Sequence, residues 1–150
     1  MSLIDVTGDL FALELPAIGQ GCNVFGKMGH GIAFEFRRRW PAMYAEYAAL
    51  CAAGDYALGD IHVWEAPGGQ VLFNLATQNR PGKDARLTAV DESVRAALVE
   101  CEARGIKQLG LPRVGAGIGG LDWTDVHEAL EAAADDHPAV EIVVVSLPGA

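Results

Sequence analysis

The chain has 150 residues, 51% of them hydrophobic and 21% charged, and its formal net charge is −9. That apolar share excludes intrinsic disorder and supplies the core of one domain, expected over 1–150. The acid excess leaves no electrostatic footprint for a nucleic-acid backbone, so nonspecific nucleic-acid binding is not expected.

The opening residues hold neither a basic stretch nor an apolar run, so no secretory signal is read and a cytoplasmic location is expected. Leu3–Thr7 is predicted as a short strand ending at Gly8-Asp9, and Ala17–Asn23 as a second, entered from Pro16. Gly31 opens a helix. Ile32 and Phe36 are four apart, and Arg37, Arg38 and Arg39 suit the negative end of its dipole. Pro41 starts another helix, running to Ala53 with Gly54 as its stop. Ile61–Glu65 and residues 71–77 read as strands of a hairpin turned by Pro67-Gly68-Gly69.

The clearest helix covers 86–104, with Leu87, Val90, Val94, Ala97, Leu98 and Cys101 on one stripe and Gly105 as the stop. Residues 108–114 are a predicted strand. Residues 123–135 are a predicted helix with Val126, Ala129, Leu130 and Ala133 on one face. The last strand, 141–147, holds a continuous Ile-Val-Val-Val run, which predicts burial on both faces. That run is too short to span a bilayer, and no membrane partner is expected. The alternation predicts an α/β domain, with helices covering a mostly parallel sheet that the hairpin makes mixed. Cys22, Cys51 and Cys101 have neither disulfide-framework nor metal-ligand spacing and are read as buried thiols.

Two glycine-rich loops each join a predicted strand to a predicted helix. They are Gly26-Lys27-Met28-Gly29-His30-Gly31 and Gly115-Ala116-Gly117-Ile118-Gly119-Gly120. Loops at the carboxyl ends of parallel strands form the ligand crevice of such sheets. Glycine lets the backbone come close to a ligand, and the helix start beyond it attracts phosphate. Two facing loops could grip a diphosphate from both sides; tight turning is the alternative use of the same glycines. Neither loop has the Gly-Lys-Ser/Thr ending of an ATP site or the fingerprint of a dinucleotide fold, so ATP and NAD are disfavoured.

Three stretches together resemble the macrodomain family. They are Gly8-Asp9-Leu10, Cys22 to Ala33 through the first loop, and Leu111-Pro112-Arg113-Val114 leading through the second loop to Leu121-Asp122-Trp123. The similar branch holds terminal ADP-ribose protein glycohydrolases and yeast-type ADP-ribose 1″-phosphate phosphatases. The resemblance implies a three-layer α/β/α fold with a central mixed sheet. It also implies ADP-ribose, or ADP-ribosylated protein, as partner, with no cofactor and no metal.

By the same resemblance Asp9 would accept from the adenine amino group, beside the Leu10 backbone N–H. Asn23 would meet the distal ribose. Gly29, His30, Gly31 and Ile32 would border the diphosphate on one side, and Gly115, Ala116, Gly117, Ile118 and Gly119 on the other. Gln78 and Arg80 would complete the contacts. The bland alternatives are a turn role for Asp9, a strand-end role for Asn23 and a surface ion pair for Arg80.

Two departures bear on mechanism. The glycohydrolase branch has a nucleophilic lysine where this chain has Gln78, and a neutral amide forms no Schiff-base adduct. That branch also has an acid where this chain has Gly119. Lys83 lies nearby in sequence but would need a loop shift to take the part. The expected activity is therefore hydrolysis by direct water attack, releasing ADP-ribose from mono-ADP-ribosylated protein. A phosphatase acting on ADP-ribose 1″-phosphate and a non-catalytic reader are the alternatives. Asn23, His30 and Asp122 are the side chains left for acid–base or orienting work, although Asp122 also suits a helix N-cap and His30 a solvated loop.

Overall fold

The computed structural model describes residues 2–149; Met1 and Ala150, the two ends of the expected domain, lie outside the described residues. The elements in chain order are β1 (Leu3–Thr7), β2 (Ala17–Asn23), α1 (Gly31–Arg39), α2 (Pro41–Ala53), β3 (Ile61–Glu65), β4 (Val71–Gln78), α3 (Leu87–Arg104), β5 (Gln108–Leu111), α4 (Trp123–Asp136) and β6 (Glu141–Ser146). One mixed sheet runs in the order β1-β6-β5-β2-β4-β3. Every neighbouring pair is parallel except β3 with β4. Five strands therefore end on the same side, at Thr7, Asn23, Gln78, Leu111 and Ser146.

Strand alternation splits the apolar residues between two layers. Phe73, Leu75, Leu109, Leu111, Ile142 and Val144 face α3 and α4, packing on Val90, Val94, Leu98, Val126 and Leu130. Ile18, Leu72, Ala76, Val143 and Val145 face α1 and α2, packing on Phe36, Met43 and Tyr47. The three-layer arrangement expected from the resemblance is present. Pro41 sits in the first turn of α2, and Gly54 and Gly105 close α2 and α3 in the left-handed conformation at φ 74° and 69°.

Three sequence readings are corrected. The strand expected over 108–114 stops at Leu111. Pro112 has no N–H to continue the ladder, and Val114 N–H curls back onto the Pro112 carbonyl at 2.8 Å. Cys51 is only half-buried, because it sits in the last turn of α2, whereas Cys22 and Cys101 are buried. Arg86 precedes α3 as its N-cap. Among the described residues no helix is long and apolar enough to cross a membrane.

Candidate functional site

The loop after β2 is held by Asn23. Its Oδ1 accepts the backbone N–H of Phe25, Gly26 and Lys27 at 3.1, 3.0 and 3.2 Å, and its Nδ2 donates to the Lys27 carbonyl at 2.8 Å. From α2, Tyr47 Oη donates to the Asn23 carbonyl at 2.6 Å, and Tyr44 Oη donates to the Gly26 carbonyl at 2.8 Å. The acceptor capacity of the Asn23 amide is thus spent on its own loop, and one amide hydrogen remains for a ligand. Neither tyrosine was singled out from the sequence. Their spacing of three on one helix face is the signal that was there to read.

Beneath this loop lies a buried polar chain. Gln20 Nε2 reaches Met28 Sδ at 3.7 Å and Asn74 Oδ1 at 3.0 Å. Asn74 Nδ2 lies 3.0 Å from His62 Nδ1, and His62 Nε2 lies 2.8 Å from Glu46 Oε1. Met28 is 1% exposed and anchors the loop floor. Beyond it the backbone opens. A methyl added at Gly29 would meet nothing within 4 Å. His30 is exposed and is the N-cap of α1 without a side-chain bond to the first turn, so N–H groups of that turn stay available to an anion.

The loop after β5 faces this one. Ile118 Cδ1 lies 3.7 Å from where a Cβ on Gly31 would stand, so the two glycine loops meet over the cleft. A methyl on Gly117 would meet nothing within 4 Å. Gly115 and Gly120 adopt φ of 76° and 84°, which an L side chain rarely does. At Gly119 a methyl would stand 2.7 Å from the Gly115 carbonyl oxygen and 2.8 Å from Ala85 Cβ. The acid that the glycohydrolase branch has there could not fit without moving backbone. Asp122 Oδ1 accepts Thr124 N–H at 2.8 Å and caps α4, which is its bland reading. Beside this loop, on the α4 side, an open hollow of about 600 Å³ is lined by Thr7, Arg113, Trp123, His127 and Ser146.

A third loop, 79–84, follows β4. The bridge between Gln78 and Ala85 closes it. Asp84 Oδ2 accepts the N–H of Asn79 and Arg80 at 2.8 and 3.1 Å. The Arg86 guanidinium, and then these two N–H groups, hold the Asp84 carboxyl below its usual range. Gln78 Nε2 donates to the carbonyls of Arg80 and Gly82 at 2.7 and 2.9 Å. Both amide hydrogens of Gln78 are therefore used within its own loop. Lys83 is exposed on this loop, with its Cγ 3.0 Å from where a Cβ on Gly120 would stand. Arg80 is exposed and makes no ion pair among the described residues.

Asp9, after β1, is exposed. Its Oδ1 accepts Phe11 N–H at 2.9 Å, which leaves Oδ2 for an amine; Leu10 behind it is buried at 3% exposure. Burial pushes the Cys22 thiol far above its ordinary range, so it is no nucleophile at neutral pH.

A mixed sheet with two glycine loops meeting over the ends of its parallel strands places the class of the molecule among α/β domains whose crevice lies at the carboxyl ends of the strands. The chain belongs to the Macro domain family, whose sequence pattern matches residues 20–130. It is 30% identical over 141 residues to a DNA ADP-ribosyl glycohydrolase of Mycobacterium tuberculosis, covering 92% of this chain and 40% of that protein. It thus spans well under half of the length of that relative. It is also 27% identical over 154 residues to an ADP-ribose 1″-phosphate phosphatase of Candida albicans, covering 92% of this chain and 97% of that one. Among solved structures, the macrodomain of Mycobacterium tuberculosis DarG superposes with a TM-score of 0.87 at 28% identity, over 95% of this chain and 96% of that one.

Proposed function

We propose that this chain binds ADP-ribose in the cleft between its glycine loops and hydrolyses the bond from the distal ribose to a macromolecular acceptor. The close approach of Ile118 to Gly31 supports this reading, because it brings together two glycine loops whose backbone N–H groups can hold a diphosphate. The uncapped first turn of α1 adds the positive end of a helix dipole. Asp9 Oδ2 takes the adenine amine, and the remaining N–H of Asn23 donates to a ribose hydroxyl.

In the reaction, water oxygen bonds to the anomeric carbon of the distal ribose as the bond to the acceptor breaks. The proton of the water passes to the leaving acceptor. Rate enhancement then comes from positioning and from N–H groups aimed at the diphosphate, rather than from a covalent intermediate. The names of the relatives support hydrolysis of ADP-ribosyl groups, and they cover both DNA-linked and phosphate-linked forms.

Phosphatase action on ADP-ribose 1″-phosphate is the second reading. The near-complete mutual coverage with the Candida albicans phosphatase favours it, as does Gln78 in place of a lysine. The test is product analysis on three substrates: glutamate-linked mono-ADP-ribosylated protein, ADP-ribosylated DNA, and ADP-ribose 1″-phosphate. Free ADP-ribose from either macromolecule supports the glycohydrolase. Phosphate release alone supports the phosphatase. Tight ADP-ribose binding with no product from any substrate identifies a reader.

A further inference from the structure

Lys27, Arg37, Arg80, Lys83, Lys107 and Arg113 make no ion pair among the described residues. They are scattered, with Lys107 before β5 at the end of the sheet away from the cleft, so the lack of a partner singles out no region. Arg113 differs from the rest in being held in one place. Its Nε donates to Ser146 Oγ at 3.0 Å, and its guanidinium carbon lies 5.2 Å from the Trp123 ring centroid. With Nε taken, the two terminal nitrogens are left to bind an anion end-on, a pair of donors that fits two oxygens of a phosphate.

The position of this guanidinium follows from the sheet order, in which β6 lies between β1 and β5. Gly8 N–H, just past β1, donates to the Ser146 carbonyl at 2.9 Å, so Asp9 follows directly on the last residue of β6. Arg113 comes from the turn after β5, two residues before Gly115, and reaches across to the same Ser146. It therefore stands between the carboxylate proposed for adenine and the loop proposed for the diphosphate. In ADP-ribose the group between those two is the adenosine ribose. Neighbouring strands lie about 4.8 Å apart, so a sugar crossing from β1 to β5 passes over β6 within a side chain's reach of Arg113.

The hollow of about 600 Å³ beside the second loop opens at the same place, with the hydroxyls of Thr7 and Ser146 next to Arg113 in its lining. Two of its acids are offset. His127 Nε2 lies 3.0 Å from Asp5 Oδ2 and its Nδ1 lies 3.2 Å from Glu131 Oε1, and the bond to Asp5 raises the pKa of the ring. Glu128 is the lining carboxylate without such a partner among the described residues.

We propose that Arg113 anchors a phosphate subsite at the adenosine ribose, so that the cleft takes 2′-phospho-ADP-ribosyl groups in preference to ADP-ribosyl groups. The inference rests on ADP-ribose lying in the cleft as proposed above, and it concerns an end of the ligand remote from the bond that is cleaved. A phosphate there carries between one and two negative charges near neutral pH and has oxygens enough for both the guanidinium and the two hydroxyls. The rest of the chain opposes it. A net charge of −9 repels any added anion, so without a cation fixed at this point the extra phosphate would weaken binding. A gain in affinity therefore reports a local site.

The test is calorimetry of the whole chain with ADP-ribose and with 2′-phospho-ADP-ribose at two salt concentrations, beside thermal melts. The parent is expected to bind the phosphorylated compound about tenfold more tightly at low salt, with the advantage shrinking as salt rises. Arg113→Leu is expected to remove the advantage while ADP-ribose affinity stays within about threefold of the parent. Arg113→Gln keeps a donor for Ser146 and is expected to behave the same, which traces the loss to charge and not to packing.

Equal or weaker binding of the phosphorylated compound by the parent overturns the subsite and leaves the ADP-ribose reading in place. So does an advantage that survives in either Arg113 variant. A parent that binds neither compound overturns the ADP-ribose reading and the subsite with it.

Discussion

Asn23 and Lys27 are bonded to each other twice, Nδ2 to the Lys27 carbonyl at 2.8 Å and Lys27 N–H to Oδ1 at 3.2 Å. The side chain at the end of β2 is therefore a clamp on the first glycine loop before it is anything else. Asn23→Ala frees three N–H groups and one carbonyl at once. It is expected to lower stability by about 1–3 kcal/mol and to weaken ADP-ribose binding with it. Urea denaturation and calorimetry measure the two effects. Lost affinity at unchanged stability would assign Asn23 to direct ligand contact instead.

Asp9 offers a cleaner test of ligand contact. Asp9→Asn can keep the turn bond to Phe11, since an amide oxygen accepts as a carboxylate does. It removes the charge that the proposed binding mode aims at the adenine amine. ADP-ribose affinity is expected to fall by about 1.5–3 kcal/mol, the value of a charge-assisted hydrogen bond, with the melting temperature unmoved. An unchanged calorimetric affinity would return Asp9 to a turn residue.

The second glycine loop predicts opposite outcomes two residues apart. Gly117→Glu has open space around its Cβ, so folding is expected to survive. The new charge stands where phosphate is proposed, and ADP-ribose binding is expected to be lost. Gly119→Ala meets the Gly115 carbonyl at 2.7 Å and Ala85 at 2.8 Å. It is expected to cost about 1–3 kcal/mol of stability through overpacking. Thermal melts of both variants beside binding curves separate the two.

The route of hydrolysis is tested by trapping. With Gln78 in place of a lysine, borohydride treatment during turnover is expected to give no ribosyl adduct in intact-protein mass measurement. Lys83→Ala is expected to keep turnover. An adduct lost in Lys83→Ala would assign the nucleophile to Lys83 on the Gly120 rim. Gln78→Ala is expected to act on the loop. Its amide holds the carbonyls of Arg80 and Gly82, so loosening of the 79–84 loop is expected, read as faster proteolysis there.

A pH dependence follows from His127. Its hydrogen bond to Asp5 raises its pKa above the ordinary value, with Glu131 adding in the same direction against some burial. Folding then favours the protonated ring. The stabilisation is complete below the unfolded value of about 6.5 and is lost as pH rises through the higher folded value. Urea midpoints are expected to fall as pH rises above about 6.5 and through the higher folded value. Asp5→Asn is expected to flatten that fall; an equal fall in both proteins would remove His127 as its source.

The sequence made the frame readable because its signals were local. Pro41 and Gly54 bracket α2, Gly105 stops α3, and the Ile142 to Val145 run is a strand buried on both faces. The glycine loops were legible as a pair because each joins a strand to a helix. What stayed hidden was how amides are spent. For Asn23 and Gln78 a sequence shows a polar group and not its partners within the fold. Only the fold shows that Tyr47, 24 residues on, and the carbonyl of Gly82 take part. The nearness of Lys83 to Gly120 is hidden for the same reason, since it depends on how two loops pack.

Ile118 stands at the mouth of the slot, 57% exposed, on the second glycine loop. Its Cδ1 lies 3.7 Å from where a Cβ on Gly31 would stand, and the branched side chain has few rotamers. A nucleotide held as proposed would pass this side chain on entry and on exit, so its lifetime in the slot would depend on the Ile118 rotamer as well as on the hydrogen bonds beneath it.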